Sequence, residues 1–262
     1  MTQFVLVPGA WIGGWAWRQV ANRLRAAGNE AYPLTLTGLG DRAHLARRDV
    51  DLDTHVTDVV SVLDYEDLAD VVLVGHSYAG IVVEGVADRV PERIGTVVYV
   101  DTGPLMDGWS NLDFYPPDQQ ETMKAAVKDK GEGWLLPFPG VDNLGAPSAV
   151  ADFDDATRRL LTRKAVAQPF ATYTQPLHLS REFAGEYRRV AILAGGFGMP
   201  ADALKAMIAK GDGPFGALTG DDWQFLELDT GHWPMLTAPD RLATMLLEVA
   251  AAEARTPAEA RR

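Results

Sequence analysis

Short, almost wholly apolar runs alternate along this chain with stretches of helical period. Phe4-Val5-Leu6-Val7 comes first, then a helical pattern from Trp15 to Ala26, an extended piece near Ala31, and a second helical pattern from Thr54 to Leu68. Val71-Val72-Leu73-Val74 follows, with a helix that Pro91 stops at Val90, and then Thr96-Val97-Val98-Tyr99-Val100-Asp101. Apolar runs this short, separated by amphipathic helices, predict parallel strands in a doubly wound α/β sheet. Between Gly103 and about Glu186 the rhythm stops. Proline and aromatic residues take over, with helical stretches near Gln119 to Lys128 and Asp154 to Ala167, flanked by Pro116-Pro117 and Gln168-Pro169. Strand-like runs return at Arg189 to Ala194 and Trp223 to Leu228, and a last amphipathic helix begins near Ala238. The pattern is read as a single domain over 1–262. Its core is 1–102 and 187–254, a helical cap of about 103–186 is inserted after the strand ending at Asp101, and 255–262 forms a frayed tail.

The run Val71 to Val74 breaks at Gly75, presents Ser77 and continues as a helix through Tyr78, Ala79 and Gly80. A serine on so tight a strand-to-helix turn has its hydroxyl lifted clear of the sheet, and the residues two positions to either side must be small. Gly75 and Ala79 meet that requirement. Ser77 is therefore a candidate nucleophile, set against the blander reading of a βα turn with a helix-capping serine.

Such a serine needs a histidine as general base. Among His44, His55, His76, His178 and His232, only the last falls where it is needed, in the loop Asp229-Thr230-Gly231-His232-Trp233-Pro234 between a strand and the final helix. The others read as scaffold: His76 is the variable position of the turn, His55 lies on a polar helix face, His178 falls in the cap and His44 in a loop. An oxyanion needs two backbone donors. One is Tyr78 N–H. The other is assigned to Ala10, in Val7-Pro8-Gly9-Ala10-Trp11-Ile12-Gly13-Gly14-Trp15, where a strand ends and glycines let the chain fold back. That segment also reads as a glycine-rich connection with tryptophans packed in the core.

Val7-Pro8-Gly9-Ala10-Trp11 with Gly13-Gly14-Trp15, Thr37-Gly38-Leu39-Gly40, Gly75-His76-Ser77-Tyr78 and Gly231-His232 together resemble one family. They are similar to the small bacterial esterases of the α/β-hydrolase superfamily that are related to plant hydroxynitrile lyases and methylesterases. The resemblance spans nearly the whole chain and implies an α/β-hydrolase fold with nucleophile, acid and histidine in that chain order. One departure is Pro8, where the family usually has histidine. The acid is a choice between two residues. In most members it follows the penultimate strand, but Gly195-Gly196-Phe197-Gly198-Met199-Pro200 supplies no carboxylate. Members with a similar glycine-phenylalanine loop, like the haloalkane dehalogenases, take the acid from the preceding strand end, which implies Asp101; both ends lie at the same carboxyl edge. Asp202 is the rival, with helix capping as its other role. The plant lyases bring a threonine in the opening loop and a lysine just after the histidine. Gly9 and Trp233 stand there in this chain, which favours hydrolysis.

Composition narrows the chemistry further. The 262 residues are 47% hydrophobic, enough for a substantial core, and a net charge of −12 argues against nucleic acid or an anionic membrane surface as partner, since both reward basic patches. The absence of cysteine rules out a thiolate metal site and fits a cytoplasmic location, as does the lack of a basic-then-apolar leader. Nucleotide and metal motifs are missing, so no cofactor and no metal are expected. The partners read are a small-molecule substrate and, left open, a homodimer. Trp11, Trp109, Trp134 and Trp233 are taken as substrate-binding walls of an apolar pocket over Ser77, and no arginine or lysine beside the motifs indicates an anionic substrate. The expected function is a serine hydrolase cleaving a carboxylic ester of a bulky, largely apolar or aromatic small molecule through an acyl-enzyme. Ser77, His232 and Asp101 are its catalytic residues, with Ala10 and Tyr78 at the oxyanion hole. A carbamate or amide hydrolase with the same triad, a hydroxynitrile-type lyase and a non-catalytic small-molecule receptor are the alternatives.

Overall fold

The central strands bury both of their faces, which is why their apolar runs are continuous rather than alternating. A computed structural model of the chain describes residues 1–180, 187–195, 202, 203, 206, 210 and 223–253. Its main sheet is built from β1 (Gln3–Val7), β2 (Glu30–Pro33), β3 (Val71–His76), β4 (Ile94–Val100), β7 (Arg188–Leu193) and β8 (Trp223–Glu227). They lie in the order β2-β1-β3-β4-β7-β8, every neighbouring pair parallel. Phe4, Leu6, Val72, Val74, Val98 and Val100 face one layer with α1 (Arg18–Ala26) and α7 (Pro239–Glu253). Val5, Val7, Leu73, Val97 and Tyr99 face the other, with α2 (Leu52–Tyr65) and α3 (Ala79–Arg89). This is the doubly wound arrangement expected from the alternation of runs.

Local chemistry sets the helix ends. Asp51 caps α2 by accepting from Thr54 N–H at 2.9 Å, so the helix starts at Leu52, two residues before the pattern predicts; such a cap contributes about 1 kcal/mol. The helix stops at Tyr65, short of the expected Leu68, where Asp67 turns left-handed at φ 53°. The first helix is preceded by a 3₁₀ turn over Gly14–Trp17. The segment between β4 and β7 holds α4 (Pro117–Lys130), α5 (Asp155–Lys164) and the one-turn α6 (Ala171–Thr174). It also holds a small antiparallel ribbon of β5 (Leu135–Leu136) with β6 (Gln168–Pro169). Two residues per strand are too few to leave a period in the sequence, so this ribbon was not foreseen. The loop Gly196 to Pro200 and the tail 255–262 lie outside the described residues. Among the described residues no helix is long and apolar enough to cross a membrane.

Glu84 on α3 is buried beneath the sheet and hydrogen-bonded to the Tyr99 hydroxyl. Burial drives its pKa up to about 7, against the lowering effect of Tyr99 and of the Arg189 charge. The unfolded chain ionises this group near 4.5, so between there and about 7 the folded state holds the extra proton, and its stabilising effect is lost as pH rises. Glu84→Gln keeps a hydrogen-bonding side chain without the charge. Its Tm is expected to stay flatter than that of the parent from about pH 5 to 8, with a difference at the alkaline end of up to roughly 3 kcal/mol in stability. Parallel curves in a calorimetric pH series would refute this account of Glu84.

Candidate active site

Register places the chemistry. In the β3–β4 pair His76 lies opposite Val100, so the next residues, Ser77 and Asp101, leave adjacent strand ends side by side. In the β1–β3 pair Val7 lies opposite Gly75, which lays Pro8 and Gly9 beside the same turn. All of these ends point to the carboxyl edge, at the place where the strand order reverses between β1 and β3. Ser77 is held at φ 52° and is the one residue of 71–80 that is not buried. A side chain at Gly75 would come within 2.8 Å of the Ala79 carbonyl and of Val83, and one at Gly9 within 3.0 Å of the Ser77 Cβ. The strand-to-helix turn and the opening loop thus close against each other only because both positions lack a side chain.

His232 comes from the loop after β8 and its backbone N–H donates to the Ala149 carbonyl at 2.8 Å. Asp152 accepts from Gly231 N–H at 2.9 Å, so residues of the insertion hold this loop. The His232 Nδ1–H donates to Asp101 Oδ2 at 2.6 Å, which leaves Nε2 as the acceptor for the Ser77 hydroxyl at 2.9 Å. The other Asp101 oxygen accepts from Ala194 N–H at 2.8 Å, and the carboxylate side chain has no solvent exposure. Asp202, the rival acid, is exposed. The Ala10 and Tyr78 amides have no hydrogen-bond acceptor among the described residues. A nucleophile in hydrogen-bond contact with a base, itself oriented by a buried carboxylate, can form and break acyl bonds. Among the described residues no group of histidine and acidic side chains is arranged to hold a metal ion.

A profile of the alpha/beta hydrolase family matches residues 4–245. The chain belongs to this family. A carbendazim hydrolyzing esterase from Nocardioides sp. (strain SG-4G) is 37% identical over 254 residues, 94% of this chain and 98% of the relative. Methylesterase 3 of Arabidopsis thaliana is 26% identical over 271 residues, 94% of this chain and 95% of its own length. Among solved structures, an extracellular alpha/beta-hydrolase from a Paenibacillus species superposes with a TM-score of 0.77 at 21% identity, covering 95% of this chain and 98% of its own. This α/β hydrolase therefore shares its fold and nearly its whole length with esterase-named relatives, and it is itself a hydrolase.

The aromatic residues divide unevenly. Trp11 lies 6.0 Å from Phe138 and 6.5 Å from Tyr173 between ring centroids, and Tyr173 stacks on Tyr78 at 5.4 Å with the rings 6° apart. Tyr173, one of the aromatic residues of the insertion, is thus the hub of the aromatic cluster beside the serine turn. Trp109 is half-buried against the α2–α3 layer, and the Trp134 ring carries the Arg48 guanidinium 5.7 Å from its centroid. Trp233 belongs to the core: it is 6% exposed and packs edge-on to both Phe153 and the His232 ring, so it backs the histidine.

Two of the scaffold histidines do more than pack. His55 was expected on a polar helix face, yet it is fully buried, because that face of α2 meets the Thr37 loop and Tyr78 rather than water. Its Nε2–H donates to the Thr37 carbonyl at 2.8 Å and its Nδ1 accepts from the Tyr78 hydroxyl at 2.9 Å; burial lowers its pKa to about 4. His76 Nε2–H donates to the His232 carbonyl at 2.7 Å, tying the serine turn to the histidine loop. Burial first, and the neighbouring His232 charge second, hold His76 well below the usual histidine range. His76 carries a signal in its placement, as the last residue of β3 and the neighbour of Ser77, whereas His55 on α2 has no local mark of its contact with Tyr78.

Proposed function

We propose that this hydrolase cleaves a carboxylic ester of a bulky, largely apolar or aromatic small molecule through an acyl-enzyme on Ser77. The observation that carries the reading is the continuous chain from Asp101 through His232 to Ser77, at 2.6 and 2.9 Å. His232 Nε2 takes the hydroxyl proton as Ser77 Oγ attacks the acyl carbon, and Asp101 stabilises the imidazolium that forms. The amides of Ala10 and Tyr78 hold the oxyanion. Collapse of the tetrahedral adduct expels the alkoxide, which takes the proton from His232. Water activated by the same histidine then releases the acid and restores Ser77.

The half-buried rings of Trp11 and Phe138 support an apolar acyl or alcohol group, and esterase-named relatives matched over nearly their whole length support the ester. Carbamate cleavage by the same residues is the second reading, favoured by the name of the Nocardioides relative. A panel of p-nitrophenyl and methyl aryl esters, carbendazim as the carbamate, an aryl amide and a cyanohydrin separates these. Turnover of the aryl esters in excess over the amide and the cyanohydrin is expected. Cleavage of the cyanohydrin without ester turnover would mean a lyase, and saturable binding of the panel without any turnover would mean a receptor.

A further inference from the structure

The geometry points to Gln168 as the positioning residue of the oxyanion loop, with the cap ribbon of β5 and β6 as the clamp through which it acts. The inference rests on the proposal that Ala10 and Tyr78 supply the oxyanion donors, and goes further by naming what fixes them. Trp11 adopts φ 64°, a left-handed conformation that costs a residue with a side chain roughly 1–2 kcal/mol. It is held there by three hydrogen bonds, all from the insertion. Its N–H donates to Gln168 Oε1 at 3.1 Å, its carbonyl accepts from Val166 N–H at 2.9 Å, and its indole Nε1–H donates to the Leu136 carbonyl at 3.3 Å. The Ala10–Trp11 peptide is pinned by the first of these, so the amide one peptide earlier keeps its aim along the serine turn.

Gln168 has no solvent exposure, and its orientation is determined. The Thr172 hydroxyl donates its hydrogen to the Pro169 carbonyl at 2.7 Å, so toward Gln168 it can only accept. Gln168 must therefore present its NH₂ to Thr172, at 2.8 Å, and its oxygen to Trp11. The same stretch of chain reaches the second donor, because Tyr173 stacks on the Tyr78 ring while the Tyr78 hydroxyl is bound by His55. Residues 166 to 173 thus touch Tyr78 and, through Trp11, the peptide that follows Ala10. None of these contacts reaches Ser77, His232 or Asp101, so the clamp acts on the transition-state donors and leaves the proton relay alone.

Gln168→Leu keeps the volume and leaves Trp11 N–H without an acceptor, while Gln168→Glu keeps an oxygen there in either protonation state. On the best ester of the panel, the leucine variant is expected to lose about a hundredfold in kcat with little change in KM, the scale of an ångström-size misplacement of a catalytic group. Affinity for an arylboronic acid, which forms a tetrahedral adduct on serine, should fall by the same factor. The product alcohol, which makes no oxyanion, should bind as before. The glutamate variant should recover kcat to within about tenfold of the parent. A folded leucine variant with parental kcat and boronate affinity overturns the proposal, and so does a loss that glutamate fails to rescue. If the leucine variant does not fold, Thr172→Val, which removes the partner that orients the amide, should lower kcat by about tenfold at constant KM, and an unchanged kcat overturns the proposal. Absence of ester turnover in the parent protein would instead defeat the serine-hydrolase reading itself, a distinct result.

Discussion

Replacing Ser77 with alanine is expected to lower kcat for ester hydrolysis by about a million-fold while the protein remains folded. The fold is unaffected because the φ of 52° at this position is borne equally by any residue with a Cβ, and Ser77 Oγ makes its hydrogen bond to His232 rather than to the core. The loss is large because the remaining donors can bind the acyl group but nothing attacks it. Thermal melting and stopped assays on the purified variant check both halves. Turnover retained in a sequence-verified, folded variant would remove Ser77 from the mechanism.

The second large effect separates two carboxylates. Asp101→Asn should cut kcat by about ten-thousand-fold, because asparagine offers an N–H to His232 Nδ1 and leaves the imidazole in the wrong tautomer to accept from Ser77. Asp202→Asn should leave kcat essentially unchanged. The contrast follows from position: Asp101 directly follows β4, is shielded from solvent and has one oxygen fixed by Ala194 N–H, whereas Asp202 is exposed. Steady-state kinetics of the two variants side by side decide it. A crippled Asp202→Asn beside a mild Asp101→Asn would move the acid to the far side of the penultimate strand.

How much of this was legible in the sequence depends on the range over which each signal acts. The doubly wound sheet was readable because strands buried on both faces must be apolar at every position, a requirement written into residues 71–74 and 96–100 themselves. Ser77 and His232 were readable because each sits in a short loop with small neighbours, and the structure brings their side chains within hydrogen-bond distance. Asp101 needed the family resemblance, since a carboxylate at a strand end has no local mark of its own. His55 was misjudged because helical period reports which face is polar and not what that face meets; here it meets Thr37 and Tyr78. Trp233, expected as a pocket wall, packs at 6% exposure against Phe153 and the His232 ring, contacts that no pattern in the loop itself records. The grip of Gln168 on Trp11 joins residues 157 positions apart through a ribbon of two-residue strands. No pattern along the chain records such a contact.

The central claim is that Ser77 becomes covalently acylated, and trapping it tests that most directly. The protein is incubated with an aryl fluorophosphonate until ester turnover stops, digested, and mapped by mass spectrometry. The account predicts one equivalent of adduct on the peptide carrying Ser77, with labelling prevented by prior incubation with substrate and absent in Ser77→Ala. An adduct on any other residue, or full ester turnover persisting in the presence of a probe that labels nothing, would contradict it.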